Sequence, residues 1–153
     1  MSLYCLPVRI YWEDTDGGGV VFYANYLKYL ERARTEWLRH RGYDQSALAR
    51  RSGVVFAVRS ARIEYKLPAR LDDILLVTCE PRRAGAASLA FQQRIFRHDA
   101  EARAGAPAAG ELSASELERH ELITTAEVSI ACIDARTFRP QRMPEFLVGA
   151  LQA

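Results

Sequence analysis

Three carboxylates in four positions, Glu13, Asp14 and Asp16, stand directly before three consecutive glycines, Gly17, Gly18 and Gly19. A short apolar step over residues 20–23 follows, and then a long segment with helical spacing. Carboxylates usually serve a helix as N-caps, yet here flexible backbone separates Asp16 from the periodic segment. A carboxylate can attack a carbonyl carbon or take a proton from water. A helix N-terminus presents oriented N–H groups and partial positive charge to a developing oxyanion. Glycines let backbone come close to a substrate. Residues 13–41 therefore hold the parts that attack on a carbonyl needs. The same loop has a plainer use: Asp16 suits an Asp-Gly turn, and Asp14 suits loop N–H groups that need an acceptor.

The element that must position these groups is the helix. Tyr26, Leu30, Ala33 and Trp37 recur at i, i+4, i+7 and i+11, flanked by Leu27, Tyr29 and Leu38, which makes a broad apolar stripe. Lys28, Arg32, Glu36 and Arg39 fall on the other side. The spacing predicts a start at Ala24 or Asn25, so the first free N–H groups belong to residues 23–27. Cations at Arg39, His40 and Arg41 suit the negative helix end, and Gly42 stands where a left-handed cap is expected.

The rest of the chain reads as strands with hairpin-sized links. Residues 4–12 alternate, with Val8, Ile10 and Trp12 on one face. Residues 44–53 read as a short helix capped by Asp44 and stopped by Gly53. Strands are expected at 54–65, 74–80, 87–96 and 122–133, with Leu89, Phe91, Gln93 and Ile95 sharing one face of the fourth. Arg139-Pro140 opens a tail. Residues 100–115 are Ala, Gly, Glu and Ser with one proline, read as a mobile surface excursion that folding does not need, with a helical turn possible at 115–119. One early helix against an antiparallel sheet gives an α+β fold, residues 1–153 forming one domain.

Composition excludes several classes. At 153 residues, 49% hydrophobic and 26% charged, the chain is globular rather than disordered. A formal charge of +2 gives no case for nucleic acid as partner. No apolar run is long enough for a membrane span, and no leader is visible. Three widely spaced cysteines, Cys5, Cys79 and Cys132, read as reduced cytoplasmic thiols in strands. His40, His98 and His120 lack metal-ligand spacing, so no metal or other cofactor is expected.

The segment YWEDTDGGGVVFYANYLKYLERARTEWLR closely resembles the opening of the hotdog-fold acyl-CoA thioesterases. It is most similar to the branch associated with the Tol-Pal gene cluster, and next to 4-hydroxybenzoyl-CoA thioesterase. The resemblance continues through VVFAVRSARIEYKLPARLDD, SLAFQQRI and AEVSIACID. It implies a sheet of about five antiparallel strands wrapped around the long helix, with chains pairing edge to edge as homodimers or homotetramers. It implies hydrolysis of an acyl-CoA substrate, or recognition of an acyl carrier protein, without a cofactor. The family's essential carboxylate falls on Asp16, as nucleophile or general base, and the N–H that polarises the thioester carbonyl falls on Tyr23. Many members of the Tol-Pal branch carry His at that position; this chain has Tyr, as the hydroxybenzoyl branch does. Gly19, Val20 and Asn25 are expected beside the substrate. Arg59 or Arg62, Ser60, Arg82 and Arg83 are candidates for the coenzyme A part, with arginines meeting phosphates. Glu31 and Glu36 are rival carboxylates, because some hotdog enzymes carry theirs on the central helix; their i+4 partners Thr35 and His40 suggest a helix-surface role. A hotdog dehydratase would need a His beside the Asp16 loop, and none is near in sequence. A non-catalytic acyl-CoA or acyl-carrier-protein binding module of envelope maintenance is the alternative reading.

Overall fold

The computed structural model describes residues 2–101 and 107–152, and the side chains of Arg83 and Gln152 lie outside what is described. The elements run β1 (Ser2–Arg9), a 3-10 turn (Trp12–Asp14), α1 (Asn25–His40), α2 (Gln45–Ser52), β2 (Val54–Tyr65), β3 (Ile74–Gly85), β4 (Ser88–Arg97), β5 (Gly110–Ser113), α3 (Ala114–Leu117), β6 (Glu121–Asp134) and α4 (Glu145–Gln152). The six strands form one antiparallel sheet in the order β2-β6-β4-β3-β1-β5. Helix α1 packs on β1 and β3. No described helix is long and apolar enough to cross a membrane.

The apolar stripe of α1 is what the sheet covers: Tyr26, Tyr29, Leu30, Ala33, Trp37 and Leu38 are all buried. Leu30 and Ala33 join Ile10, Leu75, Val77, Ile95 and Ile123 in one cluster. Trp37 and Leu38 join Leu48, Val54, Phe91 and Leu147 in another. The helix ends as its sequence predicts. Gly42 takes φ +95°, its N–H donates to the Arg39 carbonyl, and the Tyr43 N–H reaches back to the Leu38 carbonyl. Helix α2 is capped by Asp44, whose Oδ1 accepts the Ala47 N–H at 2.7 Å.

Four expectations need correction. Strand β1 stops at Arg9, not at residue 12, because the Asp14 carboxylate accepts the Tyr11 N–H at 2.8 Å and turns the chain. Trp12 is therefore not a half-buried strand residue but 79% exposed. Strand β3 runs five residues beyond Glu80, through Pro81. Pairing with β1 ends at Tyr4 opposite Cys79, so Pro81 sits where that side of β3 has no partner strand and its missing N–H costs nothing. The tail after Pro140 folds into α4, which buries Leu147 and Leu151.

The fourth concerns residues 100–115. Residues 102–106 lie outside the described residues, but the C-terminal part of this segment is structure rather than excursion. Strand β5 pairs with β1 from Ser2 opposite Ser113 to Cys5 opposite Gly110. It buries Leu112, and α3 behind it buries Leu117, against Cys5, Leu76 and Phe96. A capping box at Ser113 and Glu116 starts α3, the helical turn expected near residue 115. Composition hid this because a four-residue strand needs only one inward apolar side chain. Replacing residues 100–115 by a short turn is expected to cost about 2 kcal/mol for Leu112 alone and to lower Tm by roughly 4–8 °C. A thermal melt unchanged by the replacement would show that β5 adds nothing.

Cys5, Cys79 and Cys132 are all buried, in β1, β3 and β6. Burial pushes the Cys79 thiol well above its ordinary value, with the nearby Arg34 charge pulling the other way. Burial raises the Cys132 thiol too.

Candidate active site

The acidic loop is a small closed structure. The Asp16 N–H donates to the Val20 carbonyl at 2.8 Å, the Gly19 N–H donates to the Asp16 carbonyl at 3.2 Å, and Thr15 bridges Val21. The Asp16 carboxylate faces solvent and accepts the Gly18 N–H at 2.7 Å. Two glycines have separate reasons to be there. Gly19 takes φ +79°, which a side chain resists. A Cβ at Gly18 would lie 3.2 Å from the Asp16 Oδ1 and crowd that carboxylate.

The loop is tied down on both flanks. On one side, the Phe22 N–H and the Asn25 side-chain amide both donate to the Asp14 carbonyl, each at 2.9 Å. Asp14 thus holds the loop by its carbonyl and the preceding turn by its carboxylate, the structural part that its sequence position suggests. Burial, with the Asp14 carboxylate next in weight, pushes the Tyr29 hydroxyl above the ordinary phenol range, although that hydroxyl makes no hydrogen bond among the described residues. On the other side, the Val21 N–H donates to the Ala69 carbonyl at 2.8 Å, and Val20 bridges Arg70. Asp73 and Arg97 hold that second segment: Asp73 accepts the Arg70 N–H at 2.8 Å and the Arg97 Nε at 3.1 Å, and Arg97 also donates to the Pro68 carbonyl.

Helix α1 begins without a side-chain cap. Ala24 is the N-cap residue, and the Asn25 amide is spent on Asp14. Among the described residues, neither the Tyr23 N–H nor the Ala24 N–H donates a hydrogen bond. Two backbone donors at a helix N-terminus are thus available to an anion or a polarised carbonyl. The Tyr23 side chain is 66% exposed, and its carbonyl accepts the Tyr65 hydroxyl at 2.8 Å, so the end of β2 pins the start of α1. Tyr65, Ala69 and Arg70 are positioning residues that sequence reasoning missed. Only their place just past a strand ending before Pro68 could have signalled a return to the loop.

The loop that carries Asp16, Gly19 and Val20 is therefore tied to the helix start that carries Tyr23 and Asn25. The other predicted binding residues are not, within one chain. Arg59 and Ser60 lie exposed at the bulge in β2, five or six residues from Tyr65 and so about 17–20 Å along the strand. Arg82 pairs with Glu80 at 3.2 Å, near the far end of β3 from Asp73, about 30 Å away at strand spacing. Arg83 follows it in β3, its side chain outside the described residues. The rival helix acids pair at i+3 and not at i+4: Glu31 with Arg34, and Glu36 with Arg39. Among the described residues, no three His, Cys, Asp or Glu side chains gather as a metal set.

Comparison with known proteins adds an independent line. The model of the Thioesterase superfamily matches residues 18–104. The acyl-CoA thioester hydrolase YbgC of Escherichia coli O6:H1 is 38% identical over 148 residues, covering 97% of this chain and 95% of that protein. The acyl-CoA thioesterase YbgC of Haemophilus influenzae is 34% identical over 147 residues, covering 96% and 93%. Among solved structures, a probable thioesterase from Bartonella henselae superposes with a TM-score of 0.74 at 29% identity, over 93% of this chain and 99% of that one. A 1,4-dihydroxy-2-naphthoyl-CoA thioesterase from Synechocystis, at 20% identity, has a TM-score of 0.77 over 98% and 96%; at that distance the likeness is one of fold.

Proposed function

This chain belongs to the thioesterase superfamily and has its hotdog fold, and from that premise we propose that it hydrolyses an acyl-CoA thioester to the free acid and coenzyme A at the junction of the Asp16 loop and the start of α1. The observation that supports the reading is an exposed carboxylate, Asp16, on a loop that the Asp14 carbonyl ties to Phe22 and Asn25, at the helix start where the N–H groups of Tyr23 and Ala24 are unengaged among the described residues. The thioester oxygen takes the place of a hydrogen-bond acceptor at those N–H groups, and the helix dipole stabilises the charge that develops on it. Asp16 acts in one of two ways. As general base it removes a proton from water, the hydroxyl oxygen adds to the carbonyl carbon, and collapse breaks the C–S bond, the thiolate leaving with the proton. As nucleophile its own oxygen adds to the carbon, the C–S bond breaks to leave a mixed anhydride, and water then cleaves the anhydride.

The curated relatives are named for acyl-CoA, and this supports acyl-CoA over an acyl carrier protein as the carrier. The resemblance of residues 11–39 supports placing the chain in the branch associated with the Tol-Pal gene cluster. The buried thiols suit a cytoplasmic site of action. The test of the reading is release of free thiol from a panel of acyl-CoAs. Turnover that depends on enzyme concentration supports it, and a panel in which no member is cleaved removes it in favour of a binding role.

A second copy is part of the proposal. Strand β2 is twelve residues long, and among the described strands it pairs only with β6. A long free edge invites another strand, and a two-fold pairing there extends the sheet. Arg59 and Ser60, exposed on that strand, would then lie at the interface between the copies. Sedimentation at micromolar concentration is expected to give a dimer or tetramer. A monomer with full activity would refute it.

A further inference from the structure

Strands β2 and β6 end together, with Val54 opposite Asp134. Beyond that end the chain makes a closed turn. The Phe138 N–H donates to the Asp134 carbonyl and the Asp134 N–H to the Arg139 carbonyl, each at 2.8 Å. The Asp134 Oδ1 accepts the N–H groups of Arg136 and Thr137, also at 2.8 Å each. The Ala135 N–H donates to the Gly53 carbonyl at 2.8 Å, which seats the turn against the C-terminus of α2. Phe138 takes φ +59°, a left-handed backbone that glycine adopts freely and a bulky side chain resists. Its side chain is 71% exposed and makes no ring contact among the described residues. A turn that served geometry alone would carry glycine or asparagine there. A strained aromatic that packs on nothing within the chain points to a use outside it.

Arginines flank it. Arg136 and Arg139 belong to the turn, Arg142 lies in the segment that leads into α4, and Arg50 and Arg51 close α2 just before Gly53. All five are exposed. Arg50, Arg51, Arg139 and Arg142 hold no ion pair among the described residues. The acids of these segments have local tasks: Asp134 within the turn, Asp44 as the cap of α2, and Glu145 in the first turn of α4. Phe146, beside Glu145, is a second half-exposed aromatic, with its ring against Tyr43 at 5.8 Å.

We propose that this turn is a docking surface for a bilayer of anionic phospholipid, with Phe138 entering the headgroup layer and the arginines meeting lipid phosphates. A guanidinium offers phosphate two N–H groups in one plane. An aromatic ring held out among cations suits the boundary between headgroups and acyl chains. An acidic protein surface would be matched by the arginines alone; the exposed ring is what favours a bilayer. The Asp16 loop lies away from this surface. Strand β2 begins at Val54 beside the turn and ends at Tyr65, which holds the start of α1, about 35 Å along the strand. Docking therefore leaves the Asp16 loop clear of the bilayer, and changes in the turn leave hydrolysis of a soluble substrate untouched.

Co-sedimentation of the full chain with vesicles tests this. One set is pure phosphatidylcholine and the other is phosphatidylcholine with phosphatidylglycerol. At ~0.1 M salt, partition into the anionic vesicles should exceed partition into the neutral ones by about tenfold or more, and it should fall steeply by ~0.5 M. Arg136→Gln with Arg139→Gln should weaken it about twentyfold, at about fivefold for each arginine. Phe138→Gly removes the ring and the backbone strain together. It should weaken partition about tenfold while leaving Tm unchanged or raised, a combination that a merely structural residue would not give. If Phe138→Gly fails to fold, the arginine pair decides. Equal partition into both vesicle types, no partition at low salt, or partition indifferent to these variants overturns the inference. So does a lowered Tm in Phe138→Gly, which would make the ring structural. Binding to poly-glutamate as tight as to the vesicles, and unchanged in Phe138→Gly, would assign the surface to an acidic polypeptide instead. A several-fold rise in KM for acyl-CoA in the arginine variants, without vesicles present, would assign it to coenzyme A. Co-sedimentation needs no turnover, so the thioesterase reading and this inference stand or fall separately.

Discussion

Gln93→Leu is expected to destabilise the protein by about 3 kcal/mol, within the range for leaving a buried charged group short of a partner. Gln93 is 1% exposed in the middle of β4. Its Oε1 accepts from Arg34 at 2.9 Å, and its Nε2 reaches the carbonyls of Leu30 and Thr78, each at 3.1 Å. One amide thus links α1, β4 and β3. Leucine fills a similar volume and satisfies none of these groups. The buried Arg34 guanidinium would keep only Glu31. The urea midpoint should fall accordingly, and Tm by roughly 6–12 °C. Arg34→Met combined with Gln93→Leu removes the stranded charge and should recover about half the loss, a coupling that a double-mutant cycle reads directly. A Gln93→Leu variant within about 0.5 kcal/mol of the parent would show that the link contributes nothing.

That residue also shows how far the sequence reaches. The alternation of Leu89, Phe91, Gln93 and Ile95 places an amide among core side chains, and it is buried there. Nothing local names its partner, because Arg34 is fifty-nine positions away. The same contrast recurs across the fold. Helix α1, its glycine stop and the main strands are written in periodicity, which is a local property. Trp12 breaks its alternation because one hydrogen bond from Tyr11 to Asp14 turns the chain, and β5 exists because Leu112 meets a core built by other strands. The C-terminal helix α4 leaves no local mark of this kind, because Leu147 and Leu151 gain their place only from the cluster of Trp37, Leu38 and Leu48 that they join.

The site divides in the same way. Asp16, Gly19, Val20, Tyr23 and Asn25 are neighbours in sequence, so proximity follows from the loop and the helix start. The clamp by Tyr65, Ala69 and Arg70 comes from strand geometry and leaves no local mark. Charge alone marks the arginines at 59, 82 and 83, and charge says nothing of distance. For Glu31, i+4 spacing points to Thr35, whereas the buried Arg34 at i+3 is what engages it.

Asp16→Asn should bind acyl-CoA about as well as the parent and hydrolyse it on the order of 10² to 10⁴ more slowly. Asparagine keeps the shape and can still accept the Gly18 N–H, so the loop survives. It has no negative charge with which to attack a carbonyl or remove a proton. Asp14→Asn is the control in the same loop. Its carboxylate accepts the Tyr11 N–H, a bond that the amide oxygen of asparagine can also accept, so at most a small loss of stability is expected there, with activity falling only as the folded fraction falls. Glu31→Gln tests the helix carboxylate, whose partner is Arg34. The direct measurement is the rate of coenzyme A release from one acyl-CoA by the parent and these three variants, with folding followed by circular dichroism. The account predicts that Asp16→Asn alone loses turnover while keeping its fold. An Asp16→Asn variant that keeps most of its activity while Glu31→Gln loses it would contradict the assignment, and turnover unchanged in all three would contradict the carboxylate mechanism itself.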